Sequence, residues 1–435
     1  MERWLSKWAP GVVGVLLLAA APPPLLAAEY SLGDLYRIAL TQSEKLKVAE
    51  ENLTISEIGK DKALSYLMPR LTAAAGYTQY TEKKISGTSV IQPEYGSSWG
   101  VRLDETVSLS GRELTALDIS RQYVTKSRHD LTAIREDYLL RYVAAAYYNV
   151  LMARKGLDIA DANLERLTKY RNAAEQRLKI GEVTRTVLLR AEGELSGAKS
   201  DRLQAQNGLE LAIAVLASNC GIKDPFTLRE VPAEEGEIPV LTDFQKQAFA
   251  VRADLKSMEV QRKIAADQIR YTEGAFWPSL SVFGVYAGAD QYPAPGSLNR
   301  ESIYAGAALN FPFFEGGLRK AEVQEAKARE RQAALFYEDL KKAIEIEVQT
   351  AYLDLVTQKG TLQFLNDQMV FARDNYRAVA RQFEFGLSSS LDILDANTLL
   401  VSAERKVASA LYNYQLALLR LKKATGTLLT TAGIQ

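Results

Sequence analysis

The chain has 435 residues, of which 47% are hydrophobic, and its 53 lysines and arginines balance 53 aspartates and glutamates. This balance gives no reason to expect a nucleic-acid partner. A single cysteine, Cys220, excludes an internal disulfide framework and a zinc site built from cysteines. A single histidine, His129, disfavours imidazole catalysis and metal binding. Phosphate-binding, serine-hydrolase and zinc-protease motifs do not occur. We therefore expect a protein that is not an enzyme and holds no cofactor or metal.

The first 28 residues have the pattern of a secretory signal. Arg3 and Lys7 precede an apolar run at residues 11–21, and three prolines follow at positions 22–24. A charged start, a short apolar run and small residues before a polar segment are typical of a cleaved signal peptide. The run is too short to span a membrane as a helix, which needs about 20 apolar residues. We expect residues 1–28 to be a signal peptide and the mature chain to be exported.

The rest of the chain repeats itself. Leu32-x-Asp34 returns as Leu241-x-Asp243, 209 residues later. Further along, the offset is 205 residues, and it joins Val143, Tyr147 and Gly181 to Val348, Tyr352 and Gly386. An offset that drifts slowly is what a tandem duplication with altered loops produces, and two copies are too few for a solenoid. The sequence predicts a first repeat at residues 29–230 and a second at 231–435.

Each repeat contains a pair of segments with two-residue periodicity. The expected strands lie near residues 70–80 and 98–108 in the first repeat and near 279–289 and 303–312 in the second. About ten residues are enough for a tilted strand to cross a bilayer. Aromatic side chains near the expected strand ends suggest contacts with the membrane interface: Trp99, Trp277, Phe311, Phe313 and Phe314. Two surface hairpins on a soluble domain are the simpler alternative.

Very long helices are predicted after each strand pair. Residues 112–179 and 318–385 contain no proline and one glycine each, and about 68 residues of helix would extend roughly 100 Å. A glycine that can cap a helix end follows each segment, Gly181 and Gly386. Second helices are expected at residues 186–219 and 391–425. Such helices must pack against partners, which predicts antiparallel helical hairpins with coiled-coil packing.

Four strands in a membrane would leave two edges unpaired. Bare backbone groups in hydrocarbon cost several kcal/mol each, so the sheet has to close into a barrel. Two chains would supply eight strands and three would supply twelve. The strand count alone does not choose between them.

Taken together, these features resemble the TolC family of outer-membrane efflux proteins. The similarity includes the signal, the repeated halves, the order of strands and helices, and two turn segments at residues 177–186 and 386–397. The resemblance implies a mainly α fold with a transmembrane β-barrel: a homotrimer that combines a shared twelve-strand barrel with a long α-helical barrel. It also implies an exit duct in the outer membrane of a Gram-negative bacterium, in contact with lipid. The partners would be a periplasmic adaptor and an inner-membrane RND or ABC transporter, in a tripartite efflux or type I secretion system.

Two acidic residues are candidates for a gate. Asp392 and Asp395 lie one turn apart at the start of the last long helix, where acids also stabilise the helix dipole. The resemblance places them at the narrow periplasmic mouth, where six carboxylates of a trimer would favour cations and raise one another's pKa. The first repeat lacks these acids, and its Arg185 or Arg190 would pair with them across neighbouring hairpins.

The turns at the ends of the long helices are candidates for contact with an adaptor. The residues concerned are Gly181, Glu182, Val183 and Thr184 in the first repeat and Gly386, Leu387, Ser388 and Ser389 in the second. A simpler interpretation is that they only cap helices. Ser388 and Phe383 stand where the family tends to carry an arginine and a tyrosine, so the hydrogen bonds that close the family's channels would be absent or rebuilt here.

The main alternative function is a secreted or periplasmic coiled-coil scaffold or adhesin that forms no channel. The aromatic-bordered strand pairs argue against it, because a scaffold has no use for them. An exported enzyme is disfavoured by the missing catalytic motifs.

Overall fold

The structure, a computed structural model, describes residues 28–230 and 239–433. The signal peptide expected at residues 1–28 lies outside the described residues except for Ala28, which begins a short strand. In the first half of the chain the elements are β1 (Ala28–Tyr30), α1 (Leu32–Gln42), α2 (Glu44–Ser65), β2 (Arg70–Gln79), β3 (Lys84–Ser86), β4 (Ser89–Gln92), β5 (Tyr95–Ser108), α3 (Arg112–Tyr138), a π-helical segment (Leu139–Ala144), α4 (Ala145–Lys179), α5 (Arg185–Cys220) and β6 (Phe226–Leu228).

The second half follows the same order with fewer strands. Its elements are α6 (Leu241–Val251), α7 (Ala253–Glu273), a 3₁₀ turn (Gly274–Phe276), β7 (Ser279–Tyr292), β8 (Glu301–Asn310), α8 (Leu318–Glu384), α9 (Ser390–Ala424) and α10 (Leu428–Thr431). The division of the chain into repeats at residues 230 and 231 stays a prediction.

Four strands form one antiparallel sheet in the order β2–β5–β7–β8. Side chains alternate between its two sides. The apolar face is the side of the sheet that carries most of the larger hydrophobic side chains, among them Leu71, Tyr77, Trp99, Val101, Leu103, Tyr286, Ile303 and Leu309. The polar face is the opposite side, which begins with Arg70 and Thr72 in β2. Within the described residues, the outer edges of β2 and β8 have no strand partner.

The position of Trp99 differs from expectation. The second strand begins at Tyr95 rather than near residue 98, so Trp99 lies inside β5 and pairs with Ala75 and Gly288 in the middle of the sheet. Its ring packs edge-on against Tyr286, with the centroids 4.8 Å apart. The polar, glycine-containing start of β5 hides the extra strand residues, because sheet pairing rather than local sequence extends the strand.

The long helices form a layer of two antiparallel hairpins. Helix α4 packs along α5, α8 packs along α9, and α4 also packs along α9. The order across the layer is therefore α5–α4–α9–α8. The shorter helices α2 and α7 pack against α3, and α7 also contacts α8, close to the sheet.

The first long helix is not regular throughout. A π-helical segment, Leu139–Ala144, interrupts the helix that was expected to run unbroken over residues 112–179. Four of its six residues are buried, including Leu139 and Val143 at 0% exposure, in a core shared with Leu35 and Leu46. The wider turn rotates these side chains towards the core. The sequence contains no proline or glycine there, so it gives no signal that the α-helix is interrupted.

Three groups of buried apolar side chains hold the helices together. One joins α1, the π segment, α4 and the end of α5, and the second joins α6, α8 and α9. The third lies near the helix ends, between α4, α5, α8 and α9. Among the helices of the described ranges, none combines the length and the apolarity that crossing a bilayer requires.

Candidate functional site

The two helical hairpins turn over in the same way. Helices α4 and α8 both end at a glycine with positive φ, +80° for Gly181 and +77° for Gly386. In the first turn the Glu182 amide donates to the Arg177 carbonyl at 2.9 Å, and in the second the Leu387 amide donates to the Gln382 carbonyl at 2.7 Å. This is the Schellman arrangement, in which a left-handed residue satisfies the last carbonyls of a helix. We refer to the segments 180–184 and 385–389 as the two tips.

Arg177 connects the two tips. Its Nε donates to Glu182 Oε2 at 3.0 Å in the first tip, and its Nη1 donates to the Phe383 carbonyl at 3.1 Å in the last turn of α8, just before the second tip. The guanidinium also lies 5.1 Å from the centre of the Phe383 ring. The side chain is 18% exposed, so these contacts are largely shielded from solvent. Sequence reasoning gave Arg177 no role, because an arginine in the last turn of a helix is ordinary on dipole grounds.

An aromatic cluster supports the tips from inside. Phe383 is 3% exposed and packs 5.3 Å from Tyr170, next to Ile393 and Ala174. Burial raises the pKa of Tyr170, so this residue stays neutral. Val187 is partly buried and packs against this cluster. The helix ends at the tips are therefore held by apolar packing and by the Arg177 contacts.

Asp392 takes part in a helix cap. Its amide donates to Ser389 Oγ at 3.3 Å, and the Ser389 amide donates to its carboxylate at 2.8 Å, which completes a capping box. These hydrogen bonds hold the pKa of Asp392 below its usual value, opposite in direction to the mutual rise expected for acids crowded at a trimer axis. Asp395 is exposed one turn further along α9.

The arginines expected to pair with these acids do not reach them within one chain. Arg185 is the first residue of α5, and Arg190 lies further along the same helix. Among the described residues, no ion pair joins either arginine to Asp392 or Asp395. Any such pairing has to come from a neighbouring chain.

A largely buried network of polar side chains connects α4 to α9, further along the helices from the tips. Asn397 Nδ2 donates to Asn163 Oδ1 at 2.8 Å, and Arg166 donates to Asn397 at 3.0 Å and to Glu404 at 3.2 Å. Arg166 and Glu404 are each 17% exposed. Buried asparagines fix the register of coiled coils, because a shifted register leaves them unpaired. The sequence gave no sign of this network, whose members lie more than 200 residues apart.

Aromatic side chains lie at both ends of the sheet. Trp277 and Phe311 flank β7 and β8, and Phe313 and Phe314 beyond them are 88% and 86% exposed. At the other end three tyrosines that sequence reasoning missed stack in a row across three strands, with neighbouring centroids about 6 Å apart: Tyr77, Tyr95 and Tyr292. Their even spacing across strands was hidden because the strands were predicted too short. Within residues 28–230 and 239–433, no cluster of acids, cysteine or histidine is arranged to hold a metal ion.

Comparison with known proteins extends these observations. The family described as "Outer membrane efflux protein" matches residues 35–221 and 245–427. The outer membrane protein TolC of Escherichia coli strain K12 is 22% identical, over 98% of this chain and 87% of that protein. A crystal structure of CusC superposes with a TM-score of 0.80 at 18% identity, covering 92% of this chain and 93% of that one. The open state of the MtrE outer membrane channel of Neisseria gonorrhoeae gives 0.75 at 22% identity, covering 91% and 89%.

These matches confirm the expected fold class, in which long helical hairpins accompany a four-strand contribution to a β-domain. They also confirm the resemblance stated from the sequence and the outer-membrane location that it implied. Because the two matched stretches together span most of its length, the chain belongs to the outer membrane efflux protein family.

Proposed function

We propose that this chain is the outer-membrane exit duct of a tripartite efflux or type I secretion system. Three copies pool their strands into a twelve-strand barrel and their helical hairpins into an α-barrel. The assembly conducts substrates passively from a periplasmic adaptor and an inner-membrane RND or ABC transporter to the exterior, and performs no catalysis. The observation that carries this proposal is that one chain is incomplete at both edges of its sheet and of its helix layer.

The unpaired edges are compatible with closure by identical chains. Three antiparallel pairings separate β2 from β8, so these strands run in opposite directions. Strand β8 of one chain therefore pairs with β2 of the next in the same antiparallel pattern, which removes both edges. Helices α5 and α8 lie at the two sides of the helix layer and meet in the same way. The resemblance to the TolC family implies three chains rather than two.

A scaffold or adhesin that never inserts conflicts with the apolar face of the sheet. Leu71, Ile303 and Leu309 are 69%, 82% and 64% exposed there. A continuous apolar face of this kind belongs against lipid or a partner rather than water. We propose that Trp277, Phe311, Phe313 and Phe314 lie at the membrane interface on the helical side of the sheet. Recovery of the protein in a detergent-free soluble fraction would favour the scaffold instead.

We also propose that Asp392 and Asp395 select for cations at the mouth of the duct, with Arg185 and Arg190 of neighbouring chains as pairing partners. The test is the current through the purified trimer in a planar bilayer, with its mass established first by native mass spectrometry. Hexaamminecobalt(III) should block the wild type. In the Asp392→Ala/Asp395→Ala variant the blocking concentration should rise at least about tenfold, because the carboxylates that bind the trivalent cation are gone.

Asp224→Ala is the matched control, because this acid is exposed in the loop after α5, far from the tips. It should leave the block unchanged. Equal block in the double variant and the wild type would refute the gate assignment alone. A protein that forms no trimer, or a trimer that carries no current, would refute the exit duct itself.

The tips are the proposed contacts of the adaptor. They expose apolar side chains at the far end of the molecule: Ile180, Phe385 and Leu387 are 69%, 78% and 78% exposed. With a photo-crosslinking residue in place of Glu182 or Ser388, we expect capture of a periplasmic adaptor in cells. The same residue at position 224 should capture none. Capture at position 224 but not at the tips would contradict this docking site.

A further inference from the structure

The charged side chains of the sheet divide unevenly between its faces. By strand register, the polar face carries Arg70, Arg102 and Asp104. The charged residues that the four strands place on the apolar face are all acids, and they lie near strand ends: Glu105, Asp290 and Glu301. Every arginine within the four strands thus lies on the polar face. Since the apolar face belongs against lipid, the polar face lines the inside of a closed barrel.

The three charged residues of the polar face are neighbours. Arg70 lies directly opposite Asp104 across the β2–β5 pair. Arg102 Nε lies 3.6 Å from Asp104 Oδ1, and the two side chains are 50% and 38% exposed. Arg70 is exposed and forms no ion pair with any residue that the structure describes. We call these three residues the strand triad, and its formal charge is positive by one.

Packing against an aromatic ring holds Arg102 of the triad against the sheet. The Arg102 guanidinium lies 4.7 Å from the centre of the Phe283 ring. That ring covers Gly306 so closely that an added Cβ there would come within 2.7 Å of it, and it meets Tyr304 edge-on at 6.4 Å. A guanidinium stacked on a fixed ring has little freedom to swing away. The charge of Arg102 is therefore held at a defined place on the polar face.

We infer that the strand triad determines part of the ion selectivity of the duct, by favouring anions in the barrel. This inference rests on the proposed function, because only a closed trimer places three triads around one pore. Arg70 is the first residue of β2, so the three triads form a ring near the end of the barrel that adjoins the helices. Its excess of three positive charges opposes the cation preference proposed for the tips.

The width of such a barrel makes the effect dependent on salt. The Debye length is about 30 Å at 0.01 M salt, comparable with a wide pore, but only about 3 Å at 1 M. The ring should therefore influence the whole pore at low salt and only its wall at high salt. This dependence separates a charge effect from a change of pore width, because a narrower pore stays narrow at every salt concentration.

The experiment measures the potassium-to-chloride permeability ratio from reversal potentials in about 0.01 M potassium chloride gradients. All variants carry Asp392→Ala and Asp395→Ala, so that the tip acids do not mask the ring. Arg70→Gln with Arg102→Gln changes the ring from a positive to a negative excess, and should raise the ratio about twofold or more. Asp104→Asn makes the ring more positive and should lower the ratio. Both shifts should vanish near 1 M salt.

Two controls guard the interpretation. Glu105→Gln changes the charge of the neighbouring residue on the apolar face and should leave the ratio unchanged. Arg102→Lys keeps the charge and should behave like its parent, which shows that substitution here is tolerated. If the arginine and aspartate variants conduct but shift the ratio in the same direction, or not at all, the inference fails while the duct stands. If the parent trimer carries no current, the proposed function fails.

Discussion

Glu136 shows how tertiary structure changes the chemistry of one residue. It lies in α3 at 6% exposure, beside a cavity of about 420 Å³ that is also lined by Arg252, Asp254 and Lys423. Burial raises its pKa to about 7, although the nearby Arg252 and Lys423 partly oppose the rise. Its carboxyl is therefore largely neutral below neutral pH and ionises above it.

This residue predicts a pH-dependent stability. The folded state holds the Glu136 proton more tightly than the unfolded state, whose pKa is near 4.5. The stability contributed by the neutral carboxyl is therefore present below about pH 4.5 and is lost as the pH rises to about 7. Glu136→Gln removes the ionisation, so it should match the wild type closely at pH 4 and stabilise the protein at pH 8 by up to about 3 kcal/mol. Unfolding midpoints of the detergent-purified protein at the two pH values measure this.

The matched control is Glu165→Gln, at an exposed position in α4 where an ion pair with Lys169 lowers the pKa of the carboxyl. This substitution should give no gain at pH 8. An equal gain from Glu136→Gln at both pH values would mean that the effect is one of packing rather than ionisation.

At the residue scale, sequence reasoning found the positions that local chemistry specifies. The residues of the second tip were open to interpretation as a helix cap, and Ser389 and Asp392 do form one; a capping box spans only four consecutive residues. Arg177, Glu136 and Asn397 could not be recognised. Each is an ordinary polar residue of a helix, and its role comes from a partner far away in sequence.

At the scale of elements, glycine punctuation determined where the long helices end. Gly181 and Gly386 were expected as caps, and both adopt the left-handed conformation that a cap requires. Gly156 and Gly360 lie inside long helices, which continue past them without interruption. The two kinds of glycine differ in backbone conformation, and that difference leads to a prediction with an internal control.

Gly386→Ala and Gly360→Ala should change stability in opposite directions. An alanine at position 386 has to adopt φ near +77°, which costs about 1–2 kcal/mol, and its Cβ would lie 3.4 Å from Arg177. At position 360 the added Cβ meets nothing within 4 Å, and alanine should stabilise the helix by up to about 1 kcal/mol. Unfolding midpoints measure both. A loss of stability from both variants would show that the interior glycine has a packing role in the trimer.

The ends of elements were harder to predict from the sequence where strand pairing, rather than the conformational propensity of the local residues, determines them. Strand β7 continues to Tyr292, beyond the expected residue 289, because β5 opposite it supplies partners as far as Tyr95. The π-helical segment is a similar case, since its four buried side chains pack in the core that the surrounding elements form. Local sequence cannot report a constraint that lies on another element.

At the scale of the whole molecule, one buried arginine connects α7, α8 and α9. Arg252, 5% exposed, precedes α7 and donates to Asp254, to Glu347 of α8 at 2.7 Å and to the Ala424 carbonyl of α9 at 3.0 Å. Lys423 donates to the same Glu347 at 2.8 Å. Buried charges need such complete pairing, because removing one partner leaves another uncompensated. This junction holds the start of α7 against α8 and α9.

The sequence by itself determined the class of architecture. Periodicity predicts the four strands of the sheet and the long helices, glycines predict where the long helices end, and four strands require partners, because these are local or counting properties of the chain. Only the tertiary structure decided which side chains meet. It placed Arg177 between the tips, buried Glu136, put Trp99 in the middle of the sheet and gathered the strand triad on the polar face. Contacts between residues far apart in sequence depend on how elements pack, and no local pattern records that packing.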